Sequence, residues 1–182
     1  RLEVVYTRMG DAGTERARVG TVDMLVGRDG RVMWVGVGKS SGSQPVDAAN
    51  PRSYTDGGSA GNINGHILRL RENGNENGAT GFTWDIYLFA AEAGMDAQKI
   101  NLSSLTADND LSSPDGIWFS KKTGLAFIQT DDGAYTDVTN CMMLAAVPGQ
   151  VGDGATKTLE YTKADGSTLA VQTRVGKAPG AD

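Results

Sequence analysis

The sequence predicts an all-β fold built from antiparallel hairpins, with long loops and little helix. Three observations predict it. Glycine makes up 25 of 182 residues, about double its usual share of roughly 7%, and it follows no collagen period, so the chain turns often. Between the turns lie short runs rich in Val, Ile, Trp, Tyr and Phe, the composition of strands. One unit also recurs: apolar strand, Asp-Gly or Thr-Gly turn, apolar strand, near Gly30, Gly124 and Gly166. Repetition every 40–50 residues or so marks propeller blades, and although the first interval is about twice that, the chain reads as roughly two to three blades of a β-propeller. A whole propeller needs about four to eight blades. Residues 1–182 are therefore expected to be a single portion of one propeller domain, closed by the remainder of a parent propeller or by neighbouring subunits.

The elements follow in order. Val22 to Val37 reads as two strands around Arg28-Asp29-Gly30, a turn in which Gly accepts positive φ. Residues 38–64 are rich in Gly, Ser, Asn, Asp and Pro and read as one long loop, a length usually reserved for function or disorder. Gly65 to Arg71 alternates as a strand, Glu72 to Thr80 is a polar turn, and Phe82 to Phe89 is a strongly β-prone run. Ala90 to Lys99 has room for one short helical turn. Gly116 to Phe119 and Leu125 to Thr130 form the next hairpin, around Lys121-Lys122-Thr123-Gly124. Met142 to Val147 is a short strand, and Thr158 to Thr162 with Thr168 to Thr173 make a last hairpin about Gly166. Gly176 to Asp182 is small and polar and is expected to fray. Disorder of the whole chain is disfavoured because Trp34, Trp84 and Trp118 sit inside apolar runs.

Charge and motif content exclude several functions. The net charge is −5 and there is no basic run, which argues against nucleic acid as a partner. An acidic chain suits oxygen-ligated cations. One cysteine, Cys141, rules out an internal disulfide framework. No apolar run reaches the roughly 18 residues of a membrane-spanning helix. The chain begins at Arg1 without a signal peptide, and an N-terminal part is expected to have been removed or left out. There is no GxxxxGKS/T phosphate loop and no HExxH. With His66 as the single histidine, a His-rich zinc site is excluded, and a Ser-His-Asp triad would have to use that one histidine.

What remains is carboxylates and carbonyls in loops. Asp115 follows Pro114 at the mouth of a strand, and Asp131 follows the partner strand. One hairpin brings both to the same end, where two carboxylates suit a hard cation. The competing reading has both Asp115 and Asp131 as ordinary turn caps. Asp108-Asn109-Asp110 opens like a calcium loop but lacks its later Gly and Glu, so it reads as a turn, and Asn73 to Gly78 reads as a solvated hairpin tip. His66 alternates with apolar neighbours and reads as a core histidine before a ligand. Arg52, after Asn50-Pro51, is a candidate phosphate-binding residue in the long loop.

Local sequence is more specific. Asn50-Pro51-Arg52 followed by Gly65-His66-Ile67, the strand Phe82 to Ala90, the hairpin Ser113-Pro114-Asp115-Gly116-Ile117-Trp118-Phe119 with Ile128-Gln129-Thr130-Asp131, and Cys141 to Ala146 occur in the order and spacing of the PhoX-type alkaline phosphatases. The chain resembles a middle-to-late portion of that family, most strongly over residues 20–150. The resemblance implies a secreted or periplasmic β-propeller hydrolase that cleaves phosphate monoesters at a central site holding Ca2+ and Fe3+. It makes Asp115 a metal ligand and Asp131 a second candidate. The chain departs from the family where Arg18-Val19-Gly20-Thr21 replaces an Arg-Pro-Glu and Gly38-Lys39-Ser40-Ser41 replaces a Thr-Asn-Asn. Cys141 is not the family's ligand cysteine. Two readings stand: part of a metal-dependent phosphatase that is inactive as this chain alone, or a non-catalytic relative kept as a structural, assembly or binding module.

Overall fold

A computed structural model describes residues 32–37, 48, 51, 55–56, 59–60, 64–75, 80–130, 141–162 and 166–177. Ten strands run in chain order: β1 (Val32–Val37), β2 (Thr55–Asp56), β3 (Ser59–Ala60), β4 (His66–Glu72), β5 (Phe82–Phe89), β6 (Pro114–Phe119), β7 (Ala126–Thr130), β8 (Met143–Ala146), β9 (Ala155–Thr162) and β10 (Thr168–Val175). They form a five-stranded sheet in the order β1-β4-β5-β10-β9, a three-stranded sheet β6-β7-β8, and the small pair β2-β3. The all-β, hairpin-built architecture is as the sequence predicts. The first strand expected before Gly30 lies outside the described residues.

Hairpin tips fall where glycine is required. Gly124 (φ 75°) and Gly166 (φ 81°) occupy the left-handed region at the two predicted turns. Three features differ from the sequence reading. The long loop carries its own two-residue hairpin, β2-β3, with Thr55 opposite Ala60. One junction is parallel: β10 meets β5 at Val175 and Ile86. The expected fraying does not begin at Gly176, because its N–H donates to Ile86 O at 2.8 Å and the Lys177 N–H donates to Asp153 Oδ1 at 2.9 Å. Gly176 extends the β10 contact with β5 and Lys177 is tied to the β8-β9 link, while 178–182 lie outside the described residues.

The β4-β5 hairpin is the centre of the molecule, buried on both faces. Leu68, Leu70, Ile86 and Phe89 enter one core cluster with Ile100, Leu159 and Val175. Ile67, Tyr87 and Leu88 enter a second with Leu111, Ile117, Phe119 and Ile128. A register shift between Ile67 and Leu68 pairs Ile67 with Leu88 and Leu68 with Ile86, leaving Tyr87 as an extra residue. A bulge of this kind breaks strict alternation. It lets the consecutive residues Tyr87 and Leu88 serve the same core. The second core joins the two sheets and thereby fixes the β6-β7 hairpin against β4-β5.

Residues 90–113 are irregular but tightly held. Hydrogen-bonded turns stand in place of helix, with the Ile100 N–H donating to Asp96 O at 2.7 Å and the Asp110 N–H to Thr106 O at 2.8 Å. Buried Asn101 replaces a missing ladder: its Oδ1 accepts from the Leu105 N–H (2.7 Å) and its Nδ2 donates to Leu105 O (2.9 Å). Asp108-Asn109-Asp110 is a turn, as read from the sequence; Asn109 Oδ1 accepts from the Thr106 N–H at 2.7 Å.

Candidate functional site

Pro114 opens β6 at a position that needs no N–H donor and faces Thr130, the last residue of β7. Asp115 follows it, exposed, at the mouth of the hairpin. Asp131 lies outside the described residues, as does Arg52.

The mouth is braced from the far side. Ser113 has φ 50°, a left-handed conformation uncommon for a residue with a Cβ. Its N–H donates to Asn64 O at 2.7 Å, and the Ala90 N–H donates to Gly65 O at 3.1 Å. Ser112, fully buried, places its hydroxyl 3.1 Å from that of Ser113. The segment before Asp115 is thus tied to the start of β4 and the end of β5. Asn64 is 1% exposed, and its Oδ1 is a buried acceptor without a hydrogen-bond partner. His66, one strand position on, is wholly buried with its ring 5.9 Å from that of Phe89, which agrees with the core reading.

The resemblance implied calcium and iron. Among the described residues no three of His, Cys, Asp and Glu gather closely enough to hold a metal ion. Asp115 presents an exposed carboxylate at the mouth of β6.

Sequence reasoning missed the most highly charged buried cluster. Arg69 of β4 and Asp85 of β5 are each 1% exposed and pair through Nε–Oδ1 (2.9 Å) and Nη2–Oδ2 (2.7 Å). The guanidinium also donates to Pro148 O (2.6 Å) and to Asp153 Oδ1 (2.8 Å). Asp85 Oδ2 accepts from the Gly152 N–H (2.6 Å), and the Tyr87 hydroxyl donates to Val147 O (2.7 Å). Residues 147–153, which link β8 to β9, are therefore clasped onto the central hairpin. Glycine is needed here, because a Cβ on Gly149 would stand 2.9 Å from Arg69 Nη1 and one on Gly176 2.7 Å from Nη2. The available signal was a charge of each sign between apolar neighbours, Arg69 between Leu68 and Leu70 and Asp85 between Trp84 and Ile86, since buried charges are found paired.

Burial alone would lower the Arg69 pKa, but the hydrogen bonds and charges of Asp85 and Asp153 outweigh it and raise it. Burial pushes the Tyr87 hydroxyl up. Burial would raise Asp153, yet the hydrogen bond from Arg69 and those from the Gln150 and Lys177 backbone hold it below its ordinary value. A depressed folded-state pKa stabilises the fold above the unfolded value and loses that contribution as pH falls through the folded value. Stability of the wild type is expected to drop more steeply than that of Asp153→Asn between about pH 5 and pH 2. Urea midpoints across that range check it; parallel curves would show no linkage at Asp153.

Comparison with known proteins gives the frame for these features. The profile of the family described as "Alkaline phosphatase PhoX" matches residues 8–178. A solved structure of Pseudomonas fluorescens PhoX, in complex with vanadate as a transition state analogue, has the same fold over 81% of this chain, with a TM-score of 0.57 and 24% identity. The chain spans 28% of the length of that structure. No curated protein matches. The likeness of fold agrees with a propeller portion, and the profile match over nearly the whole sequence decides the family: the chain belongs to the alkaline phosphatase PhoX family.

Proposed function

We propose that this chain is part of a PhoX-type phosphatase that hydrolyses phosphate monoesters, and that Asp115 is the carboxylate it contributes to the metal-bearing site. The observation that carries the reading is the braced mouth of β6-β7. An exposed carboxylate sits two residues after a strained Ser113 whose N–H is bonded to Asn64 O, just before β4, within a family match that spans the segment. A phosphate monoester is anionic and the chain carries −5, so substrate binding needs compensating cations or arginine. Asp115 and Asp131 are the proposed cation ligands and Arg52 the proposed phosphate contact, with calcium and iron as the metals. The rest of the centre and of the propeller comes from further chain or neighbouring subunits. A periplasmic or extracellular location goes with this reading. Among the described residues no helix is long and apolar enough to cross a membrane.

The alternative, a propeller relative without catalysis, is favoured by the departures at Arg18 to Thr21 and Gly38 to Ser41. Assaying the full-length protein separates the two. Hydrolysis of a simple aryl phosphate is expected, with kcat reduced at least about a hundredfold by Asp115→Asn, together with loss of bound metal and an unchanged urea midpoint. An inactive, metal-free full-length protein would establish the structural reading instead.

A further inference from the structure

We propose that a β-bulge at Asp115-Gly116 turns the Asp115 carboxylate out to meet its cation, and that Gln129, seated over Gly116, is the positioning residue of that bulge. The inference rests on Asp115 as a cation ligand. Across the β6-β7 hairpin Phe119 pairs with Ala126, Trp118 with Phe127 and Ile117 with Ile128, but Pro114 pairs with Thr130. The register slips by one residue, so Asp115 and Gly116 together stand opposite Gln129 alone. An extra residue of this kind bends the strand and re-aims a side chain. Its effect on Asp115 follows from the period of two along a strand. Ile117 and Phe119 point into the second core, and regular alternation would put Asp115 on that same buried face, opposite Thr130. The bulge puts Pro114 there instead, buried, and leaves Asp115 exposed. On the core face the carboxylate would be desolvated beside Ile117 and Ile128 and shut off from a cation arriving from solvent.

Hydrogen bonds on both strands keep the slipped register in place. Ahead of the bulge, the Ser113 N–H donates to Asn64 O at 2.7 Å, with Ser113 in the left-handed region. On the partner strand, the Thr130 N–H donates to Met142 O at 3.0 Å, and Thr130 Oγ1 accepts from the Met142 N–H at 2.9 Å. The shifted pair is thereby fixed at both members, Pro114 through its neighbour Ser113 and Thr130 directly. Glycine at the second bulge position leaves room for Gln129. A Cβ on Gly116 would stand 2.5 Å from Gln129 Oε1 and 3.5 Å from Gln129 Cβ. Gln129 is exposed, on the outward face that also carries Asp115. Its side chain fills the space over Gly116 on that face, next in sequence to Asp115, and a Cβ at Gly116 would have to push its head aside.

Calcium titration of the full-length protein tests it, with urea denaturation beside it and Asp115→Asn as the control for the ligand itself. Deleting Gly116 leaves one residue opposite Gln129 and restores a regular strand. Calcium affinity is then expected to fall at least about tenfold, the scale of losing a group that orients a ligand, with the urea midpoint unchanged. A merely structural role would lower the midpoint in step with the affinity. Gly116→Ala is expected to weaken calcium binding, and Gly116→Ala with Gln129→Ala to recover it, because the shortened side chain leaves space for the new methyl group. Calcium affinity unchanged by the deletion and by Gly116→Ala, while Asp115→Asn abolishes it, would overturn this inference and leave the ligand role of Asp115 intact. A double variant no tighter than Gly116→Ala would overturn the role of Gln129. A wild type that binds no calcium would overturn the ligand role and this inference together. Should the deletion variant fail to fold, Gly116→Ala and its double variant decide the matter.

Discussion

Arg69→Ala is expected to destabilise the fold by about 3–5 kcal/mol, because it leaves Asp85 buried and unpaired. The pair is 1% exposed on both sides, so water cannot take over the lost hydrogen bonds. The same guanidinium holds Pro148 O and Asp153, so the β8-β9 link loses its anchor at once. Arg69→Met combined with Asp85→Leu removes both charges and is expected to recover much of the loss, since a buried ion pair is often replaceable by apolar groups of similar volume. Urea denaturation of the two variants checks both statements. A single mutant as stable as the wild type would mean that the clasp is not formed in solution.

Phe89→Ala is the second large effect, at about 3–5 kcal/mol for deletion of a buried aromatic ring. Phe89 is fully buried at the end of β5, packs in the first core and lies against His66. Its backbone N–H is held by the Ser103 hydroxyl at 2.8 Å, so the backbone has little freedom to move into the space. Alanine therefore opens a cavity instead of letting the core collapse. Phe89→Leu is expected to cost markedly less, and equal losses for the two substitutions would place the ring outside the core.

Much of the fold was legible because it depends on local rules. The run from Phe82 to Phe89 is strand in both reading and structure, since aromatic and branched residues fit a pleated sheet. Gly124 and Gly166 were readable as hairpin tips because only glycine takes the left-handed backbone there without cost. What escaped is non-local. Nothing in the period of β10 announces a parallel contact with β5, and the bulge at Tyr87 appears only once Leu68 is paired with Ile86. The clasp joins residues as far apart as Arg69 and Asp153 and depends on tertiary placement. At the candidate site, the place of Asp115 at a strand mouth was legible from its motif, and its metal-binding role stands as a proposal. The contribution of Asn64 was not, because it acts through its backbone carbonyl, and backbone contacts leave little mark on sequence. Asp131 and Arg52 fall outside the described residues, and their roles stand as proposals.

Locating the metal ions in crystals of the full-length protein by anomalous scattering tests the central claim most directly. The account predicts a cation within coordination distance of the Asp115 carboxylate, at the mouth of the β6-β7 hairpin, with phosphate or vanadate bound beside it. Metal ions bound elsewhere, with the Asp115 carboxylate in contact only with solvent, would contradict it.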